Sequence, residues 1–425
     1  MLRSYKIYSR NTIKEVCISL FFYLIWPISS LVISIALYKK KWAKFFFMLF
    51  GFYFGFSFIV PSSKTAEAYD SEFYAVQLKE YHVNDISFRE LVHGFYSVET
   101  MQTDIYQPIV TWVVSAFTDN YHILFAVYGL VFSIFLGKIL WIMIEMANVE
   151  QKGFALCMLV TFVLINPLWN INGVRMWTAL NVFLYGVIVF YFKNRTKGVI
   201  FMLLSCLVHV SFVVPVLFFF VYLLISKINI AYFFLLFVFS FLFKGLSPSM
   251  LSNVTAFLPE FIRYKLDFYT DPNTVSLVGE NAKSTSLFIL ASQFSQSFIP
   301  FLIIIYMHLF YKKEIIDNKK YLFFYKYLLL TIFWVNMTAI IPSFGRFQSI
   351  SLMLSMFFFL INLSFLIKLP YFKFLKFVLM PFFVLIIVQK LREFIDFQSI
   401  YIFVGNFLTY GFVSEPQPLV NILLK

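Results

Sequence analysis

Apolar runs of membrane-spanning length follow one another along most of the chain, separated by short polar segments. A spanning helix needs about 20 consecutive apolar residues, so the pattern predicts an all-α protein, a polytopic transmembrane helical bundle of about 10–12 spans. No repeat or linker marks a second domain, so residues 1–425 are expected to form a single integral membrane domain. Helices are predicted over residues 16–38, 45–60, 121–146, 153–169, 176–192, 198–226, 229–246, 287–310, 321–341, 347–367 and 374–391.

Two long polar stretches, residues 61–105 and 247–286, interrupt this pattern. Their formal net charges are −5 and −1, and loops on the cytoplasmic side are seldom so poor in Lys and Arg. We therefore expect both to be extracytoplasmic loops. Apolar residues at helical spacing, as at Phe88 and Leu91, predict helices lying on the membrane surface. Residues 105–119, apolar but short, are predicted to form an outer interfacial or re-entrant helix.

Basic residues cluster between the apolar runs. The chain has 34 Lys and Arg against 21 Asp and Glu, a formal net charge of +13. In a soluble domain this excess would favour a nucleic-acid surface, but basic clusters between apolar runs are typical of cytoplasmic loops, and we expect no nucleic-acid partner. The clusters are Lys39–Lys41 with Lys44, Lys193 with Arg195 and Lys197, Lys312 and Lys313 with Lys319 and Lys320, and Lys368 with Lys373 and Lys376.

Each span carries the chain to the opposite side of the membrane, so the charges of the loops constrain the topology. The run 198–226 starts and ends near basic residues, which predicts a hairpin of two short helices that turns near His209–Pro215. Proline lacks an amide donor and breaks helices, which accounts for a turn there. The same count of membrane crossings places Asn170–Arg175 and Ser343–Arg346 at the extracytoplasmic ends of helices. It also requires an outside N-terminus, unless the first run does not span.

The composition excludes a soluble protein. It is 61% hydrophobic, 22% aromatic and 13% charged, whereas soluble domains are about 25% charged. Cys17, Cys157 and Cys206 lie inside apolar runs, so neither disulfides nor thiolate metal ligation is indicated. The sequence contains no phosphate-binding loop, dinucleotide fingerprint, nucleophile elbow or HExxH pair. We expect no metal and no cofactor, and the energy for a reaction would come from an activated, membrane-borne substrate.

Arg175 stands at a broken helix on the predicted outer face. Pro167 and Gly173 separate two predicted helices and leave a short polar connection between them. Arg175 follows this connection, in the first turn of the second helix. Ionisable groups at membrane positions are costly, which makes each a functional candidate. An arginine beside the free amides of a helix start is suited to phosphate oxygens. The alternative is an arginine that pairs with a loop carboxylate.

A second arginine, Arg346, has the same context, because Pro342 and Gly345 break the chain just before it. Two such arginines converging at the outer face would form a diphosphate clamp. Arg263 and Lys265, in the second polar loop, could add a third contact, although a solvated helix face explains them better.

Two titratable residues are candidates for acid–base chemistry. His209 lies in an otherwise apolar string, where it could be a hydrogen-bonded structural residue, bind a phosphate or relay a proton. Asp70 lies close to Tyr69 and Tyr74, and aromatic rings beside a carboxylate commonly hold sugars. Asp70 is therefore the candidate base, and the two tyrosines are candidate sugar contacts. The alternative for Asp70 is a solvated loop carboxylate.

These motifs together resemble the EpsG-like branch of the Wzy-type polysaccharide polymerases. The family's most recognisable block is an arginine that opens one helix, a basic cytoplasmic turn, and a His-x-Ser at the end of the next short helix. The similarity covers most of the chain from residue 45 to about 367, and the chain departs from it at Lys64 and Ala68, where the family usually has Arg and Gly. The matching strings are Gly173-Val174-Arg175, the turn with Lys193 and Lys197, Leu207-Val208-His209-Val210-Ser211, Tyr69-Asp70 with Tyr74, and Gly345-Arg346-Phe347.

The resemblance implies a glycosyltransferase of the bacterial cytoplasmic membrane, as in the biosynthesis of capsule, O-antigen or exopolysaccharide. It would join undecaprenyl-diphosphate-linked oligosaccharide repeat units at the extracytoplasmic face, without metal or ATP. Arg175 and Arg346 would bind the diphosphate, Asp70 would deprotonate the acceptor hydroxyl, and His209 would assist; Arg263 is the further candidate contact to the diphosphate named above. Its partners would be these substrates, the lipid bilayer, a flippase and a chain-length regulator.

Other classes of membrane protein remain as alternatives. A lipid-linked oligosaccharide flippase would use the same cationic cavity without chemistry, but transporters often show paired halves with matching broken helices, and none is visible. A membrane glycosyltransferase that uses a polyprenyl-monophosphate sugar is a second alternative. A lipid-modifying acyltransferase is disfavoured, because the sequence shows no nucleophile or His-Asp motif.

Overall fold

The computed structural model describes residues 10–61, 70–95, 102–147, 152–242, 286–339, 341, 344–411 and 416–423. Within these ranges the chain forms α-helices, short 3₁₀ segments and isolated β-bridges, but no strand. The predicted all-α, polytopic membrane bundle is confirmed. Nearly all of the second polar loop lies outside the described residues, and so do Tyr69 and Arg263.

The described helices run in chain order from one end of the sequence to the other. They are α1 (Arg10–Ile25), α2 (Ser29–Ala36), α3 (Ala43–Phe56), α4 (Asp70–Asn84), α5 (Phe88–Gly94), α6 (Tyr106–Ser115), α7 (Tyr121–Ala147), α8 (Lys152–Ile165), α9 (Val174–Phe192), α10 (Arg195–Val208), α11 (Val213–Ile225), α12 (Ile230–Leu242), α13 (Leu287–Phe310), α14 (Lys312–Asp317), α15 (Lys319–Thr338), α16 (Gln348–Ile361), α17 (Leu363–Leu366), α18 (Phe372–Phe397), α19 (Tyr401–Val404), α20 (Phe407–Gly411) and α21 (Leu419–Leu423). The 3₁₀ segments Leu168–Gly173, Val210–Phe212 and Phe344–Phe347 precede α9, α11 and α16.

Several helical stretches have the length and composition of membrane spans. Among the described residues, five stretches are long and apolar enough to cross a bilayer: Tyr121–Ala147, Gly153–Phe192, Leu287–Phe310, Phe344–Ile361 and Phe372–Phe397. Shorter apolar helices accompany them at Ala43–Phe56, Val210–Ile225 and Ile230–Leu242. The chain is therefore a multi-pass membrane protein.

The first apolar run, predicted as one helix, is instead a hairpin of α1 and α2. It breaks at Pro27, which supplies no amide donor, and the preceding Trp26 donates its indole N–H to the carbonyl of Phe403. Glu15 in α1 forms an ion pair with Lys40, which follows α2, so both ends of the hairpin lie at the same end of the bundle. The first run therefore does not form one long spanning helix, and the side of the membrane predicted for the N-terminus stays a prediction.

Glycines allow two pairs of helices to approach to backbone contact. A β-carbon on Gly129 of α7 would overlap the carbonyl oxygen of Gly51 in α3, and one on Gly55 would overlap the backbone of α7. In the same way, a β-carbon on Gly186 of α9 would meet α10, and one on Gly198 of α10 would meet α9. Small residues at such spacing commonly hold membrane helices together, because hydrocarbon offers helices no hydrophobic reason to associate.

The predicted break near His209 is confirmed. This residue has an extended backbone (φ −151°, ψ 121°) between α10 and the following 3₁₀ segment. The chain then reverses, since Gly198 near the start of α10 and Phe219 in the second half of α11 both pack against Phe190. Pro215 lies in the first turn of α11, where the amide that proline lacks would have no helical partner.

The first polar loop folds into α4 and α5 and leads into α6, as its apolar spacing predicted. A capping box between Ser87 and Glu90 starts α5. The side-chain amides of Gln107 in α6 and Gln77 in α4 are joined by a 2.7 Å hydrogen bond, and the hydroxyl of Tyr128 in α7 donates to the Gln107 carbonyl. The loop helices are thus anchored to the bundle near the start of α7.

The last part of the chain adds short helices that no apolar run predicted. α18 continues to Phe397, beyond its predicted end, with ion pairs along its last turns. The hydroxyl of Tyr410 then donates to the carbonyl of Ser57 at 3.0 Å, and that of Tyr53 donates to the carbonyl of Tyr401 at 2.8 Å. The short helices α19 and α20 therefore pack against the end of α3.

Candidate active site

A bend between α8 and α9 fixes the position of Arg175. The side-chain amide of the buried Asn166 donates to the carbonyl of Trp177 and to Oδ1 of Asn181, both at 3.0 Å. Asn170 in turn donates to Oδ1 of Asn166 at 2.9 Å. These hydrogen bonds pair most of the amide atoms inside an apolar bundle, where an unpaired polar group is costly, and leave Nδ2 of Asn181 without a partner among the described residues. The bend is thereby held, and Arg175 emerges in the first turn of α9.

The guanidinium of Arg175 has a different partner at each of its nitrogens. Nε donates to the hydroxyl of Tyr74 at 3.1 Å, and Nη1 lies 3.3 Å from Oδ2 of Asp104. Nη2 lies 3.8 Å from Oδ1 of Asp70, which is an ion pair rather than a hydrogen bond. The structure thus shows the alternative considered for Arg175, a pairing with loop carboxylates, and Nη2 makes the longest of the three contacts.

Asp104 connects this arginine to His209. Its side chain is 1% exposed, its Oδ2 lies 2.9 Å from Nδ1 of His209, and its Oδ1 accepts the backbone amide of Val210 at 2.8 Å. A neighbouring backbone hydrogen bond, from the amide of Ile105 to the carbonyl of Leu207, holds the two segments together. One buried carboxylate thereby fixes the break between α10 and α11 against the entrance to α6.

The carboxyl group of Asp104 is ionised despite its burial. Burial alone would raise its pKa, but the charge and hydrogen bond of His209, the charge of Arg175 and the amide of Val210 together outweigh it. The pKa of Asp104 is lowered from 3.8 to about 2. The centre of the cluster is therefore a permanent negative charge between two basic side chains.

His209 is held through one of its two ring nitrogens. Nδ1 faces Asp104, and within the described part of the chain Nε2 has no hydrogen-bond partner. The side chain is 23% exposed, so Nε2 is accessible. Whenever the ring is neutral, a carboxylate at Nδ1 favours the tautomer that keeps the proton on Nδ1, which leaves the lone pair on Nε2. This is the arrangement of a histidine oriented to accept a proton.

Asp70 and Tyr74 take different positions on α4. Asp70 is the first residue of the helix, with its side chain 48% exposed, and a 2.6 Å hydrogen bond from Ser71 to Asn172 fixes this helix start beside the bend. Tyr74 is buried, and burial raises the pKa of its hydroxyl. In this structure the ring of Tyr74 has no exposed face and its hydroxyl accepts the Nε–H of Arg175, so the sugar contact at Tyr74 stays a prediction.

The other predicted arginines are less closely placed. Arg346 is exposed, and among the described residues it has no ion pair or hydrogen bond. The ring of its neighbour Phe347 lies 5.7 Å from that of Phe212, three residues after His209, so Arg346 lies at the same end of the bundle as the cluster. Convergence of Arg346 with Arg175 stays a prediction. Arg263 and Tyr69 lie outside the described residues.

Asp104 is the residue that sequence reasoning missed. It is one of eight acidic residues in the first polar loop, and nothing in its immediate sequence distinguishes it from the solvated ones. The available signal was its position directly before the short apolar segment 105–119, where a helix begins that packs against the bundle. A carboxylate at such a boundary is more readily buried than one in the middle of a polar loop.

The fold and the site are those of a multi-pass membrane protein with a cluster of charged residues at one end of its helices. The EpsG family model matches residues 67–410, a range that includes Asp70, Asp104, Arg175, His209 and Arg346. The chain belongs to the EpsG family. No curated protein and no solved structure matches it.

Proposed function

We propose that this protein is a polysaccharide polymerase that transfers a glycan from undecaprenyl diphosphate to a hydroxyl group of an incoming lipid-linked repeat unit. The main support is the buried Asp104, which joins an oriented histidine to an arginine at one end of the bundle. Transfer from a diphosphate needs a base for the acceptor and positive charge for the leaving group. The cluster contains groups suited to both tasks, and membership of the EpsG family agrees with them.

The proposed site faces the outside of the cytoplasmic membrane. α9 carries Arg175 in its first turn and is followed by the basic turn with Lys193 and Arg195. Its 19 residues rise by about 27 Å, close to the thickness of a hydrocarbon core. Basic turns are retained on the cytoplasmic side, which argues that Arg175 and its partners lie on the outer side.

In the proposed reaction the acceptor hydroxyl attacks the anomeric carbon of the glycan on undecaprenyl diphosphate. A new carbon–oxygen bond forms, the bond from the anomeric carbon to the diphosphate oxygen breaks, and its electron pair leaves with undecaprenyl diphosphate. The hydroxyl proton passes to Nε2 of His209. Asp104, which holds Nδ1 at 2.9 Å, stabilises the imidazolium ion that results.

Arg175 would bind the diphosphate through its Nη2 side. The 3.8 Å separation from Asp70 is the longest of its contacts, and the Asp70 side chain is about half exposed, so a phosphate oxygen can replace this contact with a shorter one. Arg346, exposed and unpaired among the described residues, is the proposed second contact to the diphosphate. Arg263 is the proposed third.

Asp70 is the second candidate for the base. Its carboxylate lies beside Arg175 at the exposed edge of the cluster, where an acceptor hydroxyl can approach. Its Oδ1 is, however, already paired with Nη2 of Arg175 at 3.8 Å. His209 is the first candidate, because Asp104 holds its Nδ1 and its Nε2 has no hydrogen-bond partner within the described part of the chain.

The test uses purified protein in liposomes with undecaprenyl-diphosphate-linked repeat units and separates the products by size. We expect a ladder of longer glycans from the wild type, loss of the ladder with His209→Gln, and a retained ladder with Asp70→Asn. The control is His93→Gln, an exposed histidine of the same loop region. A ladder with His209→Gln and none with Asp70→Asn would make Asp70 the base.

The same vesicles distinguish a polymerase from a flippase. If the wild type carried single repeat units across the bilayer without lengthening them, the polymerase proposal would be wrong. The genetic counterpart is deletion of the gene, after which single repeat units should still reach the outer side. Accumulation of those units on the cytoplasmic side would favour the flippase.

A further inference from the structure

A basic cavity lies at the end of the bundle opposite Asp104. It has a volume of ≈ 630 Å³ and lies between the α9–α10 turn and the start of α15. All of the residues that line it belong to the described ranges, and none is acidic. Four are cationic, Lys193, Arg195, Lys319 and Lys320, and the others are aromatic.

The charges of these four residues are not neutralised within the described part of the chain, where none of them forms an ion pair. Two of them contact rings: the Arg195 guanidinium lies 5.8 Å from the ring centre of Phe190 and 6.0 Å from that of Phe323. The ammonium of Lys320 lies 5.2 Å from the ring centre of Phe192 and donates a 3.5 Å hydrogen bond to the carbonyl of the same residue. Aromatic faces orient these cations but leave their charge available to an anion.

Two helix starts add to the positive potential of the cavity. Asn194 caps α10 by accepting the backbone amide of Lys197 at 2.9 Å. Asn318 caps α15 by accepting the amides of Lys320 and Tyr321 at 3.1 and 3.2 Å. The positive ends of both helix dipoles therefore point toward the cluster of lysine and arginine side chains.

The surroundings of the cavity suit a lipid. α10 rises from it with Ile200 and Leu203 about half exposed, at 49% and 48%, which offers an apolar surface for an acyl chain. Basic pockets between membrane helices on the cytoplasmic side are suited to anionic head groups. We propose that this cavity binds the phosphate head group of an anionic lipid of the cytoplasmic leaflet, with its acyl chains along α10.

The test measures lipid binding to the full-length protein in detergent by native mass spectrometry, with phosphatidylglycerol as the probe and phosphatidylcholine as the neutral comparison. We expect the wild type to retain phosphatidylglycerol. The double variant Arg195→Gln/Lys320→Gln should bind it at least about tenfold more weakly, because it removes two of the four positive charges that line the cavity. The charge-conserving variant Arg195→Lys/Lys320→Arg should retain it.

The matched control is Lys312→Gln/Lys313→Gln, which removes the same charge from a neighbouring cavity that also contains Glu314 and Asp317. We expect it to retain the lipid, and an equal loss in both double variants would overturn the proposal by making the attraction non-specific. Lys193→Gln/Lys319→Gln provides a second test if the first variant does not fold. Displacement of the lipid by inorganic phosphate at equal concentration would assign the cavity to soluble phosphates instead and overturn the lipid assignment.

Discussion

Oδ2 of Asp104 lies 2.9 Å from Nδ1 of His209, a contact between residues 105 positions apart in the chain. It joins the end of the first polar loop to the break between two membrane helices. Because Asp104 is buried and ionised, it can hold the imidazole in one orientation and stabilise it when it is protonated.

Asp104→Asn should abolish most of the proposed polymerisation. The amide removes the negative charge behind His209, so we expect the turnover rate to fall at least about 100-fold, the usual contribution of a positioned acid or base. KM should change little, because Asp104 is buried and does not reach the substrate. The measurement is the rate of ladder formation in vesicles, with the exposed Asp85→Asn as control. Equal rates in the wild type and Asp104→Asn would contradict the role of this pair.

Arg175→Lys should also be strongly impaired, although it conserves charge. Three nitrogens of the guanidinium contact three different side chains, and a single ammonium group cannot make these three contacts at the same positions. We expect kcat/KM to fall at least about tenfold, the value of one or more charged hydrogen bonds. Arg89→Lys, at an exposed position of α5, is the control for the substitution itself. Full activity in Arg175→Lys would show that only the charge matters.

The ionised Asp104 should make stability depend on pH in the acid range. Its pKa is 3.8 in the unfolded chain and about 2 in the folded protein, so its stabilising effect is complete above pH 3.8 and is lost as the pH falls through 2. The full effect is about 2 kcal/mol, of which about half should already be lost at pH 3. Thermal unfolding in detergent at pH 7 and pH 3 measures it. The wild type should lose more stability than Asp104→Asn, and an equal loss in both would contradict the lowered pKa.

Gly55→Ala should destabilise the fold despite the small size of the added group. The new β-carbon would overlap the carbonyl oxygen of Phe125, so α3 and α7 would have to separate. We expect a loss of about 2 kcal/mol or more, in the range of overpacked cores. Gly153→Ala is the matched control, because a β-carbon there meets nothing within 4 Å and alanine is the better helix former. A melting temperature lowered equally in both would contradict the close contact of α3 and α7.

Apolar length and loop charge predicted most of the helices and the turn at His209, because these depend on local composition and on the number of crossings. The first run has the length of a single span, and only Pro27 marks its break, so its hairpin was mistaken for one helix. The short helices after Phe397 lack a long apolar run and could not be recognised by this pattern.

The candidate site was only partly predictable. Arg175 and His209 lie beside Pro, Gly or a helix break, and helix-breaking residues can be recognised in the sequence. The role of Asp104 depends on a contact that only the packing of α6 against the bundle creates. The burial of Tyr74 has the same origin, since α4 packs its ring against that of Tyr128 in α7.

The glycine contacts between α3 and α7 and between α9 and α10 also limit how a polyprenyl chain could enter. Backbones in van der Waals contact leave no seam between those helices wide enough for a hydrocarbon tail. A lateral entrance for the proposed lipid-linked substrate would therefore have to lie between other helices of the bundle. The two glycine-packed pairs would stay in contact while it opened.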